Sequence, residues 1–466
     1  MKVSDKSFLR RLGIREAIGL SLAGMGPTLG MNLNPQEPSR HVGQLIPLVF
    51  LLSMFLVVLV AWCFARLSKL HPNAGSAFGF VSAVMGPRAG LLAGWAMLGA
   101  YLFFGMLGVS GFGLFRGDLA AKFHPAHHPS IFVFTLTGAL LVGLLAVTAA
   151  RRAAIILIIL EGMAVIAMLI LSAIVIWRVF QGMVPAGFGG DPSIRGLFIP
   201  SSAISPAAFA LAISFGFLSF AGFEEVATMA EEVKQPTFTI PRVLLGTVIG
   251  GGLVFVLVTS AEVLGYGGNP AGMALFAKSD SLLGDLGRIY FGGWCGDLMD
   301  IFATFSALGA GLASVMGASR ILFAIFREFF PTSRVARLSG QGSSPLLASL
   351  CVVAVVVGGY LVMRLLFHGT GSDPFFWAST LGVLALLISY LLVVISAGIS
   401  LLRNSSAESR WMILIPTTAA LAIGYTLFVN VYPMQKGAYG VIPWIVVGWC
   451  LLPVIWMMSC PTRRLL

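Results

Sequence analysis

The chain has 466 residues, of which 58% are hydrophobic and only 10% charged, whereas soluble domains carry about 25% charged residues. A mean hydropathy of +0.95 leaves no room for a large soluble domain. The net charge of +11 comes from basic residues set singly or in pairs between apolar runs, the pattern of topology signals rather than of a nucleic-acid-binding face.

Apolar runs of about 20 residues, each long enough to cross a bilayer core, recur along the whole chain. They predict an all-α integral membrane protein with twelve transmembrane helices in contact with lipid. The spans fall at 15–35, 42–68, 89–115, 130–150, 153–178, 206–232, 240–265, 294–328, 345–367, 375–402, 411–432 and 440–459. The first run follows basic residues, as a signal peptide would. It holds internal Gly and Pro and lacks a clear cleavage site, so it is expected to be retained. With the N-terminus inside, 20 of the 29 Lys and Arg residues lie on the inner side, among them Arg66, Arg151, Arg320 and Arg403. An odd number of spans would destroy that asymmetry. Residues 1–14 are then a cytoplasmic segment and 460–466 a cytoplasmic tail, with the chain in a plasma membrane, or in the inner membrane if bacterial. Of the five cysteines, three lie inside apolar runs and none forms a CxxC pair. They read as small buried hydrophobes, with no disulfide, metal or cofactor expected.

Two spans carry an interruption, which lipid tolerates only where the freed backbone lines a cavity or is buried in protein. Span 1 contains Gly24-Met25-Gly26-Pro27-Thr28, and span 6 contains Phe217-Leu218-Ser219-Phe220-Ala221-Gly222-Phe223-Glu224. Interrupted spans at matching places in two halves point to a five-plus-five inverted repeat with a site at the midplane. Repeat one covers 15–178, repeat two 206–402, and 411–459 supplies two peripheral helices without an acidic residue. Pro27 suits the first position of an outer half-helix. The free amides of Thr28 and Leu29 are expected to hold a substrate carboxylate. The carbonyls of Phe217–Phe220 are expected to face the same cavity and accept from an ammonium. The competing reading is that Gly and Pro only kink the two helices.

Acids inside the membrane are costly and mark function. Glu161 lies eight residues inside span 5. Glu224 lies at a similar depth in span 6, so both stand about 12 Å above the inner surface. They are candidates for proton coupling, close enough to approach one another; the alternative is a purely structural bond to unwound backbone. No role is assigned to Glu225 or Glu262. Phe217, Phe220 and Phe223 form an i, i+3, i+6 stripe, either packing or, through Phe220, an outer closure of the cavity. Tyr101, in the middle of span 3, needs a hydroxyl partner and is a candidate cavity residue. The outer His124-Pro125-Ala126-His127-His128 segment is a weak metal candidate, lacking an acidic partner.

At these residues the chain resembles the amino acid–polyamine–organocation superfamily of permeases. Pro72-Asn73-Ala74-Gly75-Ser76-Ala77-Phe78 resembles its P-x-A-G-G/S-x-Y/F stretch and is followed by Gly86-Pro87 and Gly94-Trp95. Gly222-Phe223-Glu224, Glu231-Glu232, Pro236 and Ile240-Pro241-Arg242 match its G-F-E…E-E-x-x-x-P…I-P-R series. Ser319-Arg320-Ile321-Leu322-Phe323-Ala324, Arg327-Glu328 and Pro331 resemble its S-R-x-L-x-A…R-D-G…P. The resemblance implies a leucine-transporter-type fold and substrate contacts from Gly24–Thr28 and Phe217–Gly222. Three departures stand out. Pro27 and Thr28 replace the later part of the family's glycine-rich first helix. Phe329 stands where a Gly is usual. Glu161 stands where proton-coupled members often place a Lys, so a Lys-based coupling scheme does not carry over.

The function expected is secondary active transport of an amino acid, proton-coupled, by alternating access. The alternatives are an exchanger of amino acids, amines or polyamines and, more distantly, a transporter-like nutrient sensor, which the short terminal segments disfavour. A major-facilitator carrier would need a basic G-x-x-x-D-R/K motif where Pro72–Phe78 stands. A membrane enzyme would need a polar catalytic cluster, but His41, His71 and His368 are scattered. Met25, Phe217 and Phe220 favour an apolar amino acid, while Glu224 keeps a cationic amino acid or polyamine open.

Overall fold

The computed structural model describes residues 10, 12–72, 76–123, 130–146, 150–185, 188, 193–200, 204–338, 345–367, 371–403 and 411–459. Asn73–Gly75, the His124–His128 segment and the 460–466 tail lie outside the described residues, as do residues 1–9 and 11. Lipid offers no hydrogen bonds to the backbone, so a spanning chain must satisfy its amides internally. The described residues are accordingly helical and contain no β-strand; Leu12 and Val233 form an isolated parallel bridge.

The first predicted span is broken into α1 (Ile14–Met25) and α2 (Pro27–Leu33). A short α3 (Gln36–Val42) leads into α4 (Ile46–Leu70), followed by α5 (Ser76–Met85), α6 (Pro87–Phe123), α7 (Ile131–Ala146) and α8 (Ala150–Phe180). The second half opens with α9 (Ile194–Phe198), α10 (Pro206–Phe220) and a one-turn α11 (Glu225–Thr228). Next come α12 (Pro236–Gly265), α13 (Pro270–Phe276), α14 (Leu282–Phe291), α15 (Gly293–Phe329), α16 (Leu346–Phe367) and α17 (Asp373–Arg403). α18 (Leu414–Val431) and α19 (Ala438–Ser459) complete the chain.

Nine of the described helices, counting α3 and α4 as one stretch, are long and apolar enough to cross a membrane. The chain is thus a multi-pass membrane protein. Predicted spans 1, 4 and 6 are built from shorter pieces, α1 with α2, α7, and α10 with α11. The two interruptions read from the sequence therefore coincide with real helix ends. Pro206 begins α10 at the position where a missing amide hydrogen costs nothing. Ser205 caps it, its Oγ accepting the Ala208 amide at 3.2 Å.

Burial sorts the bundle. In their most apolar stretches α6 is 83% buried, α15 78% and α17 72%, against 33% for α18 and 22% for α19. α6, α15 and α17 therefore form the interior, and α18 and α19 face lipid. α1 packs on α8, α12 and α15, so the first break lies in the middle of the bundle.

At one end, the N-terminal approach to α1 is pinned beside α11. The Leu12 amide donates to the Glu232 carbonyl at 3.0 Å, and the Lys234 amide donates to the Leu12 carbonyl at 3.0 Å. At the other end Asn32, from α2, accepts from the Ser281 hydroxyl at 2.9 Å and the Leu283 amide at 3.1 Å. The same Ser281 O–H is shared with the buried Asp300, whose Oδ1 lies 2.6 Å from the hydroxyl oxygen. Asp300 is paired with Lys122 and Arg288, joining α2, α6, α14 and α15 at that end.

Candidate functional site

α1 ends because Gly26 takes up a left-handed conformation, φ +53°, from which its amide donates to Leu22 and Ala23. That region is open to Gly at little cost. Pro27 then starts α2. The next two amides point into the bundle, and protein groups already hold them. The Thr28 amide donates to Glu161 Oε1 at 3.3 Å, and the Leu29 amide donates to Ser306 Oγ at 3.1 Å. The Ser306 hydroxyl donates to the same Glu161 oxygen at 2.9 Å. The anion position expected for a substrate carboxylate is thus occupied by the chain's own Glu161. The physical reason is the one that suggested the site: a helix N-terminus attracts a carboxylate, and α8 supplies one.

α10 ends at Phe220, and Gly222 turns the chain at φ +99°. The Leu218 carbonyl accepts the Ala221 amide and the Phe220 carbonyl accepts the Phe223 amide, so two of the expected free acceptors close local turns. Glu224 binds this unwound stretch. Its Oε2 accepts the Gly222 amide at 3.2 Å and the Tyr390 hydroxyl at 2.7 Å, and its Oε1 accepts the Tyr101 hydroxyl at 3.1 Å. Glu161 and Glu224 share no hydrogen-bond partner; each serves a different break. The breaks are tied together by Ser21, which donates to the Phe223 carbonyl at 3.0 Å, and by Asn34, whose Nδ2 donates to Ser219 at 2.8 Å.

Between the two breaks lies a small cavity of about 30 Å³. Of the residues picked from the sequence, Gly24, Met25, Gly26, Leu218 and Ala221 line it. Pro27, Thr28, Phe217, Phe220, Gly222 and Tyr101 are buried beside it without lining it. Phe220 packs edge-on against Phe255 of α12, with centroids 5.2 Å apart, instead of closing the cavity. The sequence reading missed Asn34, Phe104, Ser314 and Phe375, which complete the wall together with Leu29, Gly30, Leu107 and Ala310. Nothing in the sequence marks which face of α6, α15 or α17 turns inward. Asn34 alone carried a signal, a polar residue just beyond a break. Its Oδ1 is buried without a hydrogen-bond partner.

A second opening lies further along α15, a cleft of about 170 Å³ lined by Ser76, Glu231, Glu232, Arg320, Arg327 and neighbouring residues. Most of its wall belongs to the stretches whose motifs resemble those of the permease family. Arg320 Nε donates to the buried Glu232 at 3.1 Å, and Arg327 pairs with Glu231 at 2.5 Å. Among the described residues, no group of three or more His, Cys, Asp or Glu is placed to hold a metal ion.

Broken helices enclosing a small, mostly apolar cavity inside a multi-pass bundle define a membrane carrier for small molecules. The chain belongs to the amino acid permease family, whose model matches residues 13–456. It is a permease and not an enzyme. It is 25% identical over 413 residues to the branched-chain amino acid permease BcaP of Lactococcus lactis subsp. cremoris, covering 82% of this chain and 83% of that one. It is 24% identical over 318 residues to the low-affinity putrescine importer PlaP of Escherichia coli K12, covering 67% and 66%. It is 23% identical over 371 residues to BcaP of Bacillus subtilis, covering 74% and 73%.

Proposed function

We propose that the protein is a proton-coupled carrier of an amino acid with an apolar side chain, working by alternating access at the cavity between the two broken helices. The observation that supports this best is the pairing of each break with one buried acid, Glu161 on the first and Glu224 on the second. Each acid holds unwound backbone only as a hydrogen-bond acceptor, and protonation removes acceptor strength from one oxygen. A proton taken up at either acid therefore loosens the break that it holds.

Phe104, Leu107, Leu218 and Phe375 offer an apolar surface for a branched side chain. Asn34 Oδ1 is the natural acceptor for the ammonium group, since a buried acceptor left unpaired is costly until a ligand fills it. In this reading the fold is the twelve-helix, five-plus-five inverted repeat. The cleft end, rich in Arg320, Arg327 and Arg334, is cytoplasmic, as are both termini, and the Lys122–Arg288 end is external.

A second reading, exchange of amines or polyamines, draws on the likeness to a putrescine importer and on the buried acids near the second break. Uptake of radiolabelled L-leucine and putrescine into proteoliposomes, with and without an inward proton gradient, separates them. Leucine accumulation that follows the gradient supports the first reading. Leucine transport indifferent to the gradient, or putrescine counterflow alone, overturns it.

A further inference from the structure

Glu225 has no counterpart in the scheme above, yet it is the more isolated acid. It follows Glu224 directly, is fully buried, and neither of its carboxyl oxygens has a hydrogen-bond partner. Its surroundings are specific. A methyl group on Gly317 of α15 would fall 2.8 Å from both Glu225 oxygens and 2.8 Å from the ring edge of Tyr101. The carboxyl group thus fills the space that this glycine leaves open. The Tyr101 hydroxyl and the Gly317 amide lie near it without reaching hydrogen-bond geometry.

Its height in the bundle is equally specific. Along α15, Ala310 and Ser314 line the central cavity, whereas Arg320, Ala324 and Arg327 line the cleft. Gly317 lies midway between Ser314 and Arg320, about 4.5 Å of helix rise from each. Glu225 therefore stands in the wall that separates the two spaces. On its cavity side are Tyr101 and Glu224, with Tyr390 beyond. On its cleft side is Arg320, held by Glu232.

The remaining elements packed on α11 add little charge. α1 brings Arg15, which is exposed, and Glu16, which accepts the Gly13 amide. α12 brings the exposed Arg242, with Glu262 at its far end, and α5 carries no titratable group. Arg320 is thus the one cation among these groups that a charged Glu225 can reach without leaving the wall.

We infer that Glu225 is a further proton-binding residue of the carrier, neutral while the wall is closed and releasing its proton when the cleft side opens. An unpartnered, fully buried carboxylate beside a second acid is strongly disfavoured. Opening admits water, the carboxyl O–H bond breaks, and the proton passes to that water. The carboxylate left behind takes the Arg320 guanidinium from Glu232, which lines the cleft and is hydrated in exchange. The role in transport rests on the proton-coupled reading; the proton site itself does not.

Two measurements on the purified full-length protein test the inference. The first is the infrared carbonyl band of protonated carboxyl groups near neutral pH. Glu225→Gln is expected to remove one component. A band unchanged in folded Glu225→Gln overturns the inference. If that variant does not fold, Gly317→Ala serves: its methyl must displace the carboxyl group and shift the component, and a folded variant with the wild-type band overturns the inference equally. The second is leucine uptake in proteoliposomes, where Glu225→Gln is expected to lose accumulation driven by a pH gradient, measured relative to its own counterflow. Accumulation equal to wild type in that ratio overturns the transport role. Wild-type protein that shows the Glu225 component but no gradient-driven uptake sinks the proton-coupled reading and leaves the proton site standing.

Discussion

Gly24 and Gly222 meet backbone to backbone, and this contact holds the two helix breaks against each other. A Cβ on Gly222 would fall 2.6 Å from the Gly24 carbonyl oxygen and 2.7 Å from its Cα. A Cβ on Gly24 would fall 3.1 Å from the Gly222 Cα and oxygen. Gly222 also sits at φ +99°, where a side chain is strained by about 1–2 kcal/mol. Gly222→Ala is therefore expected to be the worse of the two, losing both stability and transport. Gly24→Ala needs a shift of only a few tenths of an ångström. Comparing melting temperatures of the two purified variants tests the order, and equal losses would show that backbone strain at Gly222 does not matter.

Glu161→Gln keeps the shape of the side chain and an acceptor for the Thr28 amide, but removes the charge at the start of α2. That charge at a helix N-terminus contributes about 0.3–1 kcal/mol when exposed and up to ~2 kcal/mol when buried. The fold should persist with a modest fall in melting temperature. In the proposed mechanism, the dependence of leucine uptake on external pH flattens in Glu161→Gln and in Glu224→Gln. A wild-type pH profile in both variants would remove the two acids from the coupling scheme.

The breaks and the acids were legible in the sequence because each has a local signature: Gly-Met-Gly-Pro in one span, Ala-Gly-Phe-Glu in another, and single carboxyl groups in apolar runs. The occupant of the α2 amides was not. That Glu161 rather than a ligand reaches Thr28 depends on how α8 packs against α1 and α2, which no residue pattern along α8 encodes. For the same reason the stripe leaves packing and closure both open for Phe220, and its contact with Phe255 follows from how α10 meets α12. The sequence assigns Glu225 no role because one residue's separation from Glu224 on a regular helix turns the two about 100° apart. The chain is not a regular helix there, since Gly222 has just turned it, and both carboxyl groups are buried.

Asn34 offers a direct test of the cavity. Asn34→Leu removes the unpartnered Oδ1 and also the Nδ2 donation to Ser219. Leucine binding, read from the ligand-induced rise in melting temperature, is expected to weaken at least tenfold, the equivalent of about 1.4 kcal/mol. Ser219→Ala removes the Asn34–Ser219 bond but leaves Oδ1 in place, so it is expected to retain more of the binding. The reverse order would assign the effect to the Asn34–Ser219 bond instead of to the ammonium acceptor.

Arg320 and Glu232 form a pair whose side chains are 4% and 9% exposed. Removing one partner of a buried pair strands the other charge, at a cost of about 3–5 kcal/mol. Arg320→Gln should therefore destabilise more than the double variant Arg320→Gln with Glu232→Gln, in which no charge is stranded. Thermal melts of the two singles and the double give the coupling directly. A double variant as damaged as the sum of the singles would mean that the two side chains stabilise the cleft independently.

Trp95 and Trp449 attach the last helix to the interior. Their rings stack with centroids 4.9 Å apart. The Trp95 indole N–H donates to the Trp449 carbonyl at 3.1 Å, and the Trp449 N–H donates to the Trp95 carbonyl at 2.9 Å. Gly99 makes the approach possible, since a Cβ there would fall 2.8 Å from Trp449 Cδ1. In lipid, association of α19 with α6 gains nothing from water exclusion, so packing and such bonds must supply it. Gly99→Val is expected to push Trp449 away and cost about 1–3 kcal/mol of stability. The cavity lies between α1, α2, α10 and the inner faces of α6, α15 and α17, away from this contact, so leucine counterflow should survive in the folded fraction. Loss of counterflow in well-folded Gly99→Val would show instead that the final helix takes part in the transport cycle.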